Sequence, residues 1–163
     1  MNDLYKELAE RIRAEISDLE RVVQKLLRIW PQVQTVSAEQ DVYLDSVALN
    51  LHSFYSGLER LFALIARHVD QNLPDSETWH RDLLHQMGRE LVGIRPGVIG
   101  AENAVNLDEF RQARHLVRNV YTINLAAERV VGLMLALPGL WEQSSGRTAG
   151  ICRFSGRAGE GVR

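Results

Sequence analysis

A group of polar residues that could hold a phosphate lies in the segment LDEFRQARHLVRNVYTIN, residues 107–124. Placed at about 100° per residue around a helix, the segment divides into an apolar arc and a polar arc. The polar arc consists of Arg111, Arg114, His115, Arg118, Asn119, Tyr121 and Thr122. Three guanidinium groups on one face repel one another, but each can grip a phosphate through two N–H groups. The arc therefore predicts a phosphate-binding surface, with the solvated face of an ordinary amphipathic helix as the alternative.

The composition limits the class of protein. At 163 residues and 45% hydrophobic, the chain suits one domain with a single core. Its 19 basic and 21 acidic residues give a net charge of −2, so any contact with RNA must be local. The charged N-terminus does not resemble a secretory signal, and the apolar runs are too short to span a membrane. With Cys152 as the lone cysteine, these features predict a cytoplasmic protein.

The spacing of apolar residues predicts an all-α fold. Steps of four and three recur along most of the chain, and no strand pattern interrupts them. We expect an up-and-down bundle of about five helices. The predicted helices run from Asn2 to Trp30 before Pro31, from a capping box at Ser37 and Gln40 towards Pro74, from about Ser76 to Leu91, from Asn106 to Thr122 or beyond, and from about Leu125 to Leu137 before Pro138.

The chain ends in a segment of different composition. Residues 143–163, QSSGRTAGICRFSGRAGEGVR, hold five glycines and few large apolar side chains. Burial of so little apolar surface would not offset the entropy of ordering the segment. The sequence therefore predicts one helical domain over residues 1–142 and a flexible tail over 143–163.

The string from Arg114 to Tyr121, RHLVRNVY, resembles the motif of HepT-like toxins in the HEPN superfamily. That motif has an Arg with a polar residue beside it, a His a few positions later, and a Tyr two further on. Asn119 stands here at the position of the His. The order of elements is also similar over about residues 38–142, which include the long second helix, LPDSETWHRDLLHQM and the IRPGVI loop.

The resemblance implies a metal-independent RNA endonuclease that works as a homodimer, with the ribose 2′-hydroxyl as internal nucleophile and no cofactor. Arg114 would stabilise the charge on the phosphate, assisted by Arg118 or Arg111. The implied catalytic set is Arg114, His115 and Asn119. Because an amide does not transfer protons at usable pH, we take His115 as the candidate acid or base in place of Asn119.

The resemblance also implies a partner. In toxin–antitoxin pairs of this kind, described as type VII-like, an MNT-type nucleotidyltransferase antitoxin attaches AMP to a motif tyrosine, which corresponds to Tyr121. The RNA substrate would be a tRNA or a messenger RNA. Two alternatives stay open, a non-catalytic HEPN dimer that binds a nucleotidyltransferase or nucleic acid, and a structural helical adaptor.

A metal site is not expected from the sequence. The four histidines outside the polar arc include no pair at the four-residue helical spacing that brings two imidazoles onto one ion. They are His52, His68, His80 and His85.

Overall fold

Five α-helices make up the protein in the computed structural model, which describes residues 2–35, 38–119 and 127–157. They are α1 (Asn2–Thr35), α2 (Gln40–His68), α3 (Trp79–Gly88), α4 (Ala101–Asn119) and α5 (Ala127–Arg157). The predicted all-α bundle is confirmed, and within the described ranges the only β pairing is an isolated bridge between Leu91 and Arg95. None of these described helices is both long and apolar enough to cross a bilayer.

Helix α2 lies at the centre of the bundle and contacts each of the other four helices. Its apolar residues recur on more than one side, so it can bury surface against several neighbours at once. Phe54 of α2 makes edge-on contacts with Phe110 of α4 and Trp141 of α5, at ring-centroid distances of 5.6 and 5.9 Å. These rings join α2, α4 and α5 in one core, which fixes the position of α4.

Two prolines lie inside helices that they were predicted to end. Helix α1 continues through Pro31 to Thr35, and α5 continues through Pro138. A proline in a helix costs about 3 kcal/mol because it removes one hydrogen bond and crowds the preceding turn. Buried side chains beyond each proline offset that cost, namely Val33 in α1 and Leu140 and Trp141 in α5.

The predicted flexible tail is wrong for residues 143–157, which form the second half of α5. Thr148, Ile151 and Cys152 are buried there, and the Cys152 thiol lies 4.0 Å from the carbonyl oxygen of Ala9 in α1. Packing against α1 thus offsets the entropy cost of ordering this segment, although its composition had indicated that too little apolar surface would be buried. Residues 158–163 lie outside the described part of the chain.

Helices α2, α3 and α4 begin at other residues than predicted. The capping-box residue Ser37 lies outside the described residues, and Glu39 is the N-cap of α2 without a side-chain hydrogen bond. Helix α3 is shorter than the predicted 76–91. Helix α4 begins at Ala101, before the predicted Asn106, because the Gln143 side chain of α5 accepts hydrogen bonds from the Gly100 amide and the Asn103 side chain.

Candidate functional site

Five of the seven residues of the polar arc, those from Arg111 to Asn119, belong to α4, as the sequence predicted. Phe110 and Ala113, on the apolar side of this helix, are buried in the core. Arg111 and Arg114 lie on the other side and keep part of their side chains exposed, 22% and 15%. The amphipathic pattern thus orients these two cations away from the core.

The remaining predicted site residues are described only in part. The backbones of His115, Arg118 and Asn119 belong to α4, but their side chains lie outside the described part of the structure. Tyr121 and Thr122 lie outside it altogether. Their roles therefore stay predictions.

Arg111 pairs with an acidic residue one turn earlier on the same helix. Its Nε donates a hydrogen bond of 2.7 Å to Oδ1 of Asp108. This hydrogen bond is the main reason that the pKa of the Asp108 carboxyl lies below its usual value. An exposed pair within one helix contributes less than about 1 kcal/mol to stability, so Arg111 can exchange Asp108 for another anion at little cost.

Arg114 is held by a carboxylate from another helix. Its Nη1 donates a hydrogen bond of 2.6 Å to Oε1 of Glu59 in α2. The Glu59 side chain is only 9% exposed, so this charged pair is largely shielded from water and stronger than a surface pair. The guanidinium has five N–H donors, and Glu59 fixes its orientation while using one of them.

The second oxygen of Glu59 binds an imidazole. Nδ1 of His80, in the first turn of α3, lies 2.6 Å from Oε2 of Glu59 and 3.4 Å from Nη1 of Arg114. The His80 ring stacks on Trp79 with centroids 3.6 Å apart, and its side chain is 26% exposed. Glu59, His80 and Arg114, which we call the Glu59 cluster, join α2, α3 and α4.

A buried phenol lies one turn before Glu59 on α2. Tyr55 is 1% exposed, and burial together with the nearby Glu59 charge raises the pKa of its hydroxyl above the usual value. Tyr55 is therefore neutral at physiological pH. The charges of Glu59 and Arg114 both act on this hydroxyl, whereas the side chains of His80 and Arg114 stay 26% and 15% exposed.

Two members of the cluster, Glu59 and His80, were not among the site residues predicted from the sequence. One signal for Glu59 was present, since it lies four residues after Tyr55 and three before Phe62 on a buried face of α2. A charge within a buried stripe needs a partner of opposite sign. His80 carried no comparable signal, because its contact with Glu59 joins residues 21 positions apart.

The site offers a fixed cation and an imidazole at a partly open surface. These are the groups that stabilise charge on a phosphate and transfer protons near neutral pH. Among residues 2–35, 38–119 and 127–157, no group of three or more His, Cys, Asp or Glu side chains is arranged to hold a metal ion.

One comparison with known proteins gives a match. A family model described as HepT-like protein matches residues 46–153. The matched range contains Glu59, His80 and the whole polar arc, and it extends beyond residue 142 into the second half of α5. No curated protein and no solved structure matches the chain.

Proposed function

We propose that this chain, which belongs to the HepT-like family, is the toxin of a HEPN/MNT toxin–antitoxin pair and cleaves RNA as a homodimer without a metal ion. Its polar arc would lie in a cleft between two copies of α4, where a phosphodiester binds. The internal nucleophile would be the 2′-hydroxyl of the RNA itself.

The observation that carries this proposal is the fixed orientation of Arg114. The first residue of the motif is held through one N–H group by the buried Glu59 carboxylate, at a partly exposed point of α4. A preoriented cation stabilises developing charge without reorganising during the reaction. An arginine whose only role was solubility would not need a buried carboxylate as partner.

The test is RNA cleavage by purified protein in the presence of EDTA. Total cellular RNA, which contains both tRNA and messenger RNA, serves as the substrate. We expect Arg114→Ala to lower the cleavage rate by about 100-fold or more, since a single stabilising donor is worth that much. Arg60→Ala is the matched control, because Arg60 is a 64% exposed arginine that pairs with Glu15 of α1. Equal cleavage by wild type and Arg114→Ala would refute the role of Arg114.

The second candidate function is a non-catalytic HEPN dimer, which Asn119 at the motif His position favours. Asn119→His separates the two candidates. If the natural protein is inactive, restoring the imidazole should produce a large gain in cleavage or toxicity. If the natural protein is active, the substitution should change the rate little, and His115→Ala then tests the imidazole that we took from the sequence.

We propose the homodimer because the HepT-like motif implies a shared cleft, and because Arg111 and Arg114, the two arginines of the arc whose side chains are described, keep 22% and 15% of those side chains exposed. Light scattering on the purified chain should give twice the chain mass. A charge reversal at the more exposed Arg111, Arg111→Glu, should leave that mass unchanged if the arc faces solvent inside the cleft. A monomer at micromolar concentration would contradict the shared cleft.

Tyr121 is the proposed site of control by the antitoxin. Transfer of AMP from an MNT-type nucleotidyltransferase would add a negative phosphodiester beside the polar arc and fill the space that RNA needs. Mass spectrometry after co-expression with a nucleotidyltransferase encoded beside this chain should find adenylate on Tyr121. Tyr121→Phe should abolish the modification, and adenylate elsewhere, or none, would count against this regulation.

A further inference from the structure

An imidazole outside the motif lies in contact with the motif arginine. His80 belongs to α3, 34 positions before Arg114, and reaches the Glu59 cluster through the packing of α3 on α2 and α4. Its side chain is 26% exposed, so one edge of the ring can meet a ligand.

The hydrogen bond to Glu59 determines which ring nitrogen of His80 carries the proton. A carboxylate only accepts hydrogen bonds, so a distance of 2.6 Å to Oε2 requires a proton on Nδ1. Nδ1 then cannot accept a hydrogen bond from Arg114. The 3.4 Å distance between Nδ1 and Nη1 of Arg114 therefore separates two donors that both bind Glu59. In the neutral ring, Nε2 is consequently the unprotonated nitrogen, which can accept a proton.

Two contacts hold the ring in one orientation. Glu59 fixes the Nδ1 edge, and the stacked Trp79 ring, at an interplanar angle of 29°, restricts the ring plane. A base oriented by a carboxylate and placed beside a cation is an arrangement suited to activating a hydroxyl next to a phosphate. Glu59 thus positions both groups, one with each oxygen.

We infer that His80 is the general base of this protein and supplies the proton transfer that Asn119 cannot perform. This inference rests on the proposed function, since it assigns a residue to that reaction. Nε2 of His80 takes the proton of the ribose 2′-hydroxyl, and the 2′-oxygen forms a bond to phosphorus. The bond from phosphorus to the 5′-oxygen breaks, and that oxygen takes a proton from water. His80 returns its proton to solvent, and the products end in a 2′,3′-cyclic phosphate and a 5′-hydroxyl.

The charges around His80 define how cleavage should depend on pH. Glu59 from α2 and Arg114 from α4 face the ring, and Trp79 covers one side of it. Because only the neutral ring can accept a proton, the cleavage rate should rise with pH. At higher pH the rate should level off.

The experiment measures metal-free RNA cleavage from pH 5 to 9 for wild type, His80→Gln and His85→Gln. We expect His80→Gln to lose about 100-fold or more in rate, together with the dependence of that rate on pH. His85→Gln is the matched control, because His85 is an exposed histidine of the same helix, and it should behave as wild type. Circular dichroism checks that both variants are folded.

A second variant separates a chemical role from a structural one. In His80→Ala, free imidazole added to the solution should restore part of the cleavage, which it cannot do if His80 only supports the fold. Glu59→Gln should lower the rate as well, since it removes the carboxylate that positions His80 and Arg114.

The outcomes distinguish this inference from the proposed function. If wild type cleaves RNA and His80→Gln keeps its rate and pH profile, the role of His80 is refuted while the proposed function stands. Loss of cleavage in His80→Ala with no response to imidazole would also refute the base role. If wild type cleaves no RNA at all, the proposed function fails and His80 has no such reaction to serve.

Discussion

Replacing Arg95 by Met should destabilise the protein more than any surface substitution. Arg95 lies in the connection between α3 and α4 and is 0% exposed in its side chain. Its guanidinium donates two hydrogen bonds of 2.6 Å to the two oxygens of Asp70, which is 1% exposed. It also donates to the backbone carbonyls of Arg89, Pro96 and Gln86. The residue thus joins the end of α2 and the end of α3 to the connection that leads into α4.

The expected loss of stability follows from the buried charge that Arg95→Met leaves without its partner. Met fills much of the same volume, so the main loss is the cation, and Asp70 keeps a buried charge with one side-chain donor, Nε2 of Gln86. Removing one partner of a buried ion pair costs about 3–5 kcal/mol. For a protein of this size, that corresponds to a fall in the melting temperature of about 6–20 °C.

The assay is equilibrium unfolding in urea, followed by circular dichroism, for wild type and Arg95→Met. Arg89→Met is the matched control, because Arg89 is exposed in the same connection, and it should change the free energy of unfolding by less than about 0.5 kcal/mol. Adding Asp70→Asn to Arg95→Met should recover at least about 1 kcal/mol by removing the stranded charge. A loss below about 1 kcal/mol for Arg95→Met alone would refute the reasoning.

Three further predictions concern two glycines, the thiol of Cys152 and the hydroxyl of Tyr55. Gly57→Ala should lower the free energy of unfolding by about 1–3 kcal/mol, because an added Cβ would lie 2.6 Å from Cδ2 of the buried Leu19. In Gly132→Ala the added Cβ meets nothing within 4 Å, so this substitution should stabilise α5 by about 0.5–1 kcal/mol. Urea unfolding of both variants checks this, and equal effects would contradict it. Burial raises the pKa of the Cys152 thiol, so iodoacetamide at pH 8 should modify Cys152 far more slowly in the native protein than in urea. The pKa of Tyr55 is raised above its ordinary value of 10.0, so the unfolded chain loses this proton first and stability should fall as pH rises above about 10. Tyr55→Phe should weaken this fall in stability with pH, and an unchanged pH dependence in the variant would contradict the role of Tyr55.

The helices of this fold could be predicted from the sequence, but several of their ends could not. Amphipathic spacing depends on each helix alone, which explains why α4 carries Arg111 and Arg114 on the side away from the core, as expected. The second half of α5 and the start of α4 depend on contacts with distant parts of the chain. Cys152 meets the carbonyl of Ala9, and Gln143 closes the N-terminus of α4 at Gly100. A glycine-rich composition does not reveal such contacts.

The candidate site could be predicted in part for the same reason. Arg114 and Arg111 were found because they share one helix and a motif spacing. Glu59 and His80 were not, since their meeting with Arg114 depends on how α2, α3 and α4 pack together. Spacing within one helix thus predicted the cations, and only tertiary structure could reveal what orients them.

The most direct test of the proposed function is the chemistry of the RNA ends that the purified chain produces in EDTA. Attack by the 2′-hydroxyl predicts a 2′,3′-cyclic phosphate on one fragment and a 5′-hydroxyl on the other, with no cut where the ribose carries a 2′-O-methyl group. Fragments with a 5′-phosphate, cleavage that requires a divalent metal, or RNA that stays intact would contradict it.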